Sequence, residues 1–254
     1  MSKRRRWPFI VGAVLVLLAP TFYWFFMESG TPEGTYAIDL AEVRRLASSL
    51  PGEKASAIHF EPVAHFEFPA TAIVAGDGFS MKDMTVYSYQ LVFPDRRVIV
   101  DTSMDEVTAK KGGAVAFDAE AYARVTAALS DASTIVVTHE HFDHLAGLAT
   151  HPDVKALMAK ATLTKEQLAE PARMDPLVFP AAALDGYRPL ETGALHAVAP
   201  GVVLIKSPGH TPGSQLVYVQ RADGTEVLFL GDVAWHWRNV ELVRERARLV
   251  TAVF

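Results

Sequence analysis

Between Thr138 and Gly147 the chain reads Thr-His-Glu-His-Phe-Asp-His-Leu-Ala-Gly, and the six positions from 139 to 144 hold three imidazoles and two carboxylates. The β-branched run Thr134-Ile135-Val136-Val137 before it has the character of a buried strand, and Leu145 to Leu148 open a helical pattern. The cluster therefore belongs on a strand-to-helix loop, where α/β enzymes carry their chemistry. Neutral imidazoles and carboxylates at this spacing suit a hard-to-borderline divalent cation. His139 and His141 can converge on one ion, while Asp143 and His144 are free to take a second. A solvated polar loop with an accidental His run is the bland alternative, but such loops rarely collect three His in six residues without a ligand to hold.

Two later stretches extend the pattern. Val202 to Lys206 predicts a strand that breaks at Ser207-Pro208-Gly209-His210-Thr211-Pro212-Gly213-Ser214, with a new strand over Gln215 to Val219. A His between two Pro-Gly pairs is aimed by a rigid turn, so His210 suits the ion of His139 and His141 as a third imidazole. Glu226 to Leu230 predicts another apolar strand, ending in Gly231-Asp232, and a carboxylate at that end can bridge two cations.

His-x-His-x-Asp-His followed by Gly, with the Pro-Gly-His stretch about seventy residues on, resembles the two signatures of the metallo-β-lactamase superfamily. The resemblance runs from about Tyr36 to the end of the chain. It implies an α/β (α+β) fold, an αββα four-layer sandwich with two mixed sheets face to face, helices outside and metals at one sheet edge. It implies Zn²⁺, with two ions held by His139, His141 and His210 and by Asp143 and His144, and Asp232 shared between them. It implies hydrolysis of a small-molecule lactone, ester, thioester or β-lactam by a metal-bound hydroxide, with Asp143 as the catalytic carboxylate. Related sequences supply one more His beyond Asp232. Here only His236 follows, four residues later between two Trp. The hydrolase domain, residues 31–254, is therefore expected to be C-terminally incomplete, with a weakened second site. The competing reading is a membrane-tethered, non-catalytic metal-binding or scaffold protein with a degraded site.

Composition narrows this further. The 254 residues, half of them hydrophobic, suffice for one large domain. The absence of cysteine excludes disulfides, thiolate zinc sites and Cys nucleophiles. The first thirty residues carry Lys3, Arg4, Arg5, Arg6 and Glu28, a net charge of +3, so the remainder carries −8 of the total −5. An acidic body is a poor nucleic-acid partner. Trp7 to Met27 is a 21-residue stretch without a charge, long enough to span a bilayer, and the basic residues before it keep that end in the cytoplasm. Residues 1–30 are thus expected to form an inner-membrane, single-pass anchor with the catalytic body on the periplasmic side. A cleaved secretory signal is the alternative.

The rest of the chain offers local expectations. Glu28 to Thr35 reads as a linker, and Asp39 as the cap of a helix to Leu50 with Leu40, Val43, Leu46 and Leu50 on one face. Met84 to Phe93 and Arg97 to Val100 predict a hairpin about Pro94-Asp95. Asp101 is either a strand-end cap or a support for the metal loop. Asp118 to Leu129 predicts an amphipathic crossover helix, hence a parallel pair in the sheet. Thr164 and Gln167 form a capping-box pattern. His59, His65 and His151 read as surface histidines. The Pro- and Ala-rich stretch 171–189 is expected to roof the site, with Tyr187 and Arg188 facing the substrate.

Overall fold

The computed structural model describes residues 3–30, 36–191 and 193–253. Positions 31–35 of the expected linker, and Phe254, lie outside the described residues. The chain divides into two compact units, the larger of residues 36–66 and 84–233 and the smaller of residues 1–35, 67–83 and 234–254.

The larger unit begins with α2 (Leu40–Ala47), preceded in the chain by α1 (Lys3–Phe22) of the smaller unit. Asp39 starts α2 by accepting hydrogen bonds from the amides of Ala41 and Glu42. The helix stops at Ala47, short of Leu50, because Leu50 precedes Pro51 and that position disfavours helical backbone. The buried face is accordingly Val43 and Ala47, with Leu40 and Leu50 exposed.

The first sheet is built from β1 (Ala57–Pro69), β2 (Met81–Val92), β3 (Arg97–Val100), β4 (Ala116–Phe117) and β5 (Thr134–Val136), in the order β4-β1-β2-β3-β5. Within this run α3 (Ala70–Ile73) belongs to the smaller unit, and α4 (Glu106–Gly112) and α5 (Ala119–Asp131) to the larger. β2 and β3 form the expected hairpin, Val92 opposite Arg97. α5, capped by Asp118, buries Ala121, Val125 and Leu129 and delivers β5 parallel to β3. After α6 (Phe142–Ala149), α7 (Val154–Met158) and α8 (Lys165–Ala169), the second sheet runs β6 (Leu195–Ala199), β7 (Val202–Lys206), β8 (Gln215–Gln220) and β9 (Glu226–Phe229) as an antiparallel meander. Thr164 and Gln167 make the full capping box of α8.

The strand period explains the layering. Val202 and Leu204 of β7 join Val217 and Val219 of β8 against Leu91, Val98, Val100 and Val136 of the first sheet, so the two sheets pack face to face. The alternate residues Val203, Ile205, Leu216 and Tyr218 turn outward and pack with Val43 and Ala47 of α2. Helices thus cover the outer faces, giving the four-layer αββα order. β9 is an edge strand with Leu228 exposed, and no further strand pairs with it among the described residues. His151 departs from expectation. It is buried, its Nδ1 accepting from the amide of Asp153, because the chain folds back under α5. His59 is exposed, and His65 is half-buried beside Thr85.

The smaller unit contains α1, a π-helical turn over Tyr23–Met27, α3, α9 (Trp237–Leu242) and α10 (Arg248–Val253). Trp7–Met27 is long and apolar enough to cross a membrane.

Candidate metal centre

β5 ends at Val136 and α6 begins at Phe142, so residues 137–141 form the strand-to-helix loop, with His141 at the N-cap of α6. This loop is fixed by Asp101, the residue just past β3. Asp101 accepts from the Thr138 amide (2.6 Å), the Thr138 hydroxyl (2.9 Å) and Nδ1 of His144 (2.9 Å). The support reading of Asp101 is therefore the one its contacts favour. α6 in turn lies so close to the 101–103 segment that a Cβ on Gly147 would run into the Thr102 carbonyl oxygen. Only glycine permits that approach, and the Gly147 amide uses it to bond Ser103 O at 2.8 Å.

With the loop so held, Nε2 of His139 lies 3.1 Å from Nδ1 of His141, which lies 3.0 Å from Nε2 of His210. Oδ2 of Asp232 stands 3.7 Å from His139 Nε2 and 3.5 Å from His210 Nε2. The other oxygen, Oδ1, faces Nε2 of His144 at 3.3 Å, and Asp143 Oδ2 is 3.5 Å from the same nitrogen. Two groups result, each with all its atoms within 4.8 Å: His139, His141, His210 and Asp232, and Asp143, His144 and Asp232. Ligands at about 2.0–2.1 Å around a tetrahedral Zn²⁺ stand about 3.3 Å apart, so the first donor set has the right chemistry and nearly the right spacing. His139 is buried and His141, His210 and Asp232 are half-buried, so three imidazole nitrogens and one carboxylate oxygen converge on one point.

The charges of these groups depend strongly on one another. Burial, reinforced by the neighbouring charge of His144, holds His139 well below the usual imidazole range. Burial opposes a charge on His144, yet the carboxylates of Asp143, Asp101 and Asp232 together raise it well above that range. Burial lifts Asp143 to about 6 against the pull of His144. Burial also disfavours the charged form of Asp232, but His144 and His139 bring it below the ordinary carboxylate range.

Sequence reasoning gave Glu140 no role of its own. Its side chain is buried and reaches the His210 turn, accepting from the Thr211 hydroxyl (2.8 Å) and the Gly213 amide (3.3 Å). Gln167 adds a second tie, donating to Val137 O and Gly213 O. The one available signal was strand-like alternation, which sends residue 140 opposite to 139 and 141. Tyr187 and Arg188 are not part of either donor group. The Tyr187 hydroxyl is taken up by the backbone, donating to Ala161 O and accepting from the Leu163 amide, and Arg188 is exposed. His236 belongs to the smaller unit, where its Nδ1 accepts from the Arg238 amide and caps α9.

The family model for the metallo-beta-lactamase superfamily matches residues 82–244. An N-acyl homoserine lactonase from Bacillus sp is 24% identical over 175 residues, which cover 63% of this chain and 68% of that protein. Among solved structures, an N-acyl homoserine lactone hydrolase with N-hexanoyl-L-homoserine bound at its catalytic metal centre superposes with a TM-score of 0.60 at 19% identity, over 79% of this chain and 86% of that one. A quorum-quenching N-acyl homoserine lactone hydrolase superposes with a TM-score of 0.62 at 18% identity, over 78% and 84% of the two chains.

Proposed function

The chain belongs to the metallo-β-lactamase superfamily, and from that premise we propose that it is a two-metal, zinc-dependent hydrolase that opens lactone rings. The observation that carries the proposal is the division of labour within Asp232, whose Oδ2 faces the three imidazoles while Oδ1 faces His144 and Asp143. A carboxylate so placed suits a bridge between two cations.

Bound divalent ions would supply a Lewis acid for the substrate carbonyl and acidify a water molecule. The side chains supply the rest. His139, His141 and His210 offer neutral nitrogen on two loops that are locked to each other. Asp101 holds His144 through Nδ1 and so presents Nε2 to the site. Asp143 Oδ2 can take the proton of the attacking water and pass it to the ring oxygen as the acyl carbon–oxygen bond breaks. The water oxygen ends on the acyl carbon and its proton on the released hydroxyl. The lactone preference draws on the activities named for the similar proteins, while esters, thioesters and β-lactams are the competing substrates.

The test is metal content and hydrolysis by the purified full chain on a panel of N-acyl homoserine lactones, simple lactones, thioesters and β-lactams. Asp232→Asn should weaken the second ion more than the first, and His210→Ala should lower metal content and activity together. A metal-loaded protein that spares every lactone, or that prefers a thioester, would overturn the substrate class.

We read residues 1–30 as a retained, single-pass inner-membrane anchor, with the hydrolase domain, residues 31–254, on the periplasmic side. A reporter fused after residue 35 should work only if it is one active in the periplasm. A soluble product beginning past Ala19 would favour a cleaved signal instead.

A further inference from the structure

The smaller unit gathers exposed apolar residues where the long apolar segment ends. That segment is built into the unit by hydrogen bonds. Phe26 O accepts from the Thr71 hydroxyl (2.6 Å) and the Gly76 amide (3.0 Å), Glu28 O accepts from the Arg248 amide (3.0 Å), and Ser29 pairs antiparallel with Ala247. The rings of Phe22, Phe26 and Phe79 pack on one another at 5.1 to 6.0 Å, yet Phe79 keeps more than half of its surface open. The Arg248 guanidinium lies 4.0 Å above the Trp24 ring, and Arg246 lies 5.5 Å from the centre of the Trp235 ring. A Cβ on Gly76 would touch both Arg244 and Met27, so Arg244 borders the last residue of the segment. Val243, its neighbour in sequence, is 91% exposed and adopts φ 47°. A β-branched residue in left-handed backbone is strained, and here the strain presents an apolar side chain to the surroundings rather than to a core.

We propose that this rim, formed by Trp24, Phe79, Val243 and the Arg–Trp stacks, seats in the headgroup–acyl boundary of the bilayer that the apolar segment crosses. The proposal rests on the anchor reading. Twenty-one residues at 1.5 Å each span about 31 Å, the thickness of a hydrocarbon core, so Met27 falls at its edge. Every group bonded to residues 26–29 then lies at boundary depth. Aromatic rings and guanidinium groups are the side chains that favour that depth, with the ring on the acyl side and the cation at the phosphates. Apolar residues exposed in water are also the ones a bilayer covers favourably.

The chain has no cysteine, so single labels need no background removal. An environment-sensitive fluorophore would be placed, in the full-length protein, at Val243→Cys, Phe79→Cys, Val14→Cys and Val178→Cys, the last an 84%-exposed position of the larger unit. The labelled proteins would be reconstituted in phosphatidylethanolamine–phosphatidylglycerol vesicles carrying nitroxide lipids of set depth. Labels at 243 and 79 should emit to the blue and be quenched by shallow nitroxides, the label at 14 by deep ones, and the label at 178 by neither. A water-like signal at both 243 and 79 with lipid quenching at 14 overturns the rim and leaves the anchor standing. A water-like signal at 14 overturns the anchor and the rim with it. Equal quenching at 178 and 243 would mean general adsorption and also defeats the proposal.

Discussion

Asp101 adopts φ 60° and spends both carboxylate oxygens on the 138–144 segment, one on the Thr138 amide and one on the Thr138 hydroxyl and His144. Asn tolerates that backbone but can no longer accept at both ends. Asp101→Asn should keep the fold and weaken metal affinity at the Asp143–His144 group by about 10–100-fold, the range seen when the outer partner of a ligand is lost. Isothermal titration of the metal-free protein with Zn²⁺ would show it as a second transition moved to higher concentration, with the first little changed. Glu140 acts at the other site by joining the His139–His141 loop to the His210 turn. Glu140→Leu should free that turn and weaken the three-imidazole site. Glu140→Gln, which can still bond Gly213 and Thr211, should restore most of the loss. Equal affinity of the Leu variant and the wild type would show that the ties through Gln167 and Gln215 hold the turn without Glu140.

At the level of elements, α2 is fastened to the edge strand β9 by a bidentate pair, Arg44 to Glu226, with both contacts at 2.8 Å. The guanidinium's hydrogen bonds lower the Glu226 carboxyl from 4.5 to about 2. A folded-state pKa below the unfolded one means that the pair stabilises the fold above about pH 4.5, and that this contribution fades as pH falls toward 2. Because the pair is solvated, the effect is small and salt-sensitive. Denaturation of Glu226→Gln and wild type across pH should therefore show a gap at neutral pH that closes in acid; a gap that widens in acid contradicts the assignment. The packing between the sheets contributes far more. Leu204→Ala, at a buried position of β7 facing the first sheet, should destabilise by about 2–5 kcal/mol in urea titrations.

For the molecule as a whole, a ligand that binds the native state adds stability that grows with the logarithm of one plus its free concentration over Kd, about 4 kcal/mol when free ion stands at 1,000 times its Kd. Chelation should consequently lower the melting temperature, and Zn²⁺ should return it. The His139–His141 loop belongs to the first sheet's side of the sandwich and the His210 turn to the second. An ion shared by the two would clamp the larger unit across its layers. An unchanged melting temperature after verified metal removal would show that the loops are rigid without it.

Much of this was determined by sequence alone because the forces involved act over a few residues. Asp39, Asp118 and Thr164 with Gln167 start helices through hydrogen bonds to amides two or three positions on. Pro94-Asp95 turns a hairpin, and one short motif carries His139 and His141 on a loop and Asp143 and His144 on the first turn of the helix that follows. Tertiary structure decided what has no local signature. It brings His210 within 3.0 Å of His141 across 69 positions, and divides the oxygens of Asp232 between two groups. It assigns Asp101 to the loop rather than to its own strand end, buries His151, and leaves β9 at an edge. Each of these depends on how two sheets stack and on which strands find a neighbour. Those outcomes are set by the burial of many apolar side chains at once, and no window of a few residues contains that sum.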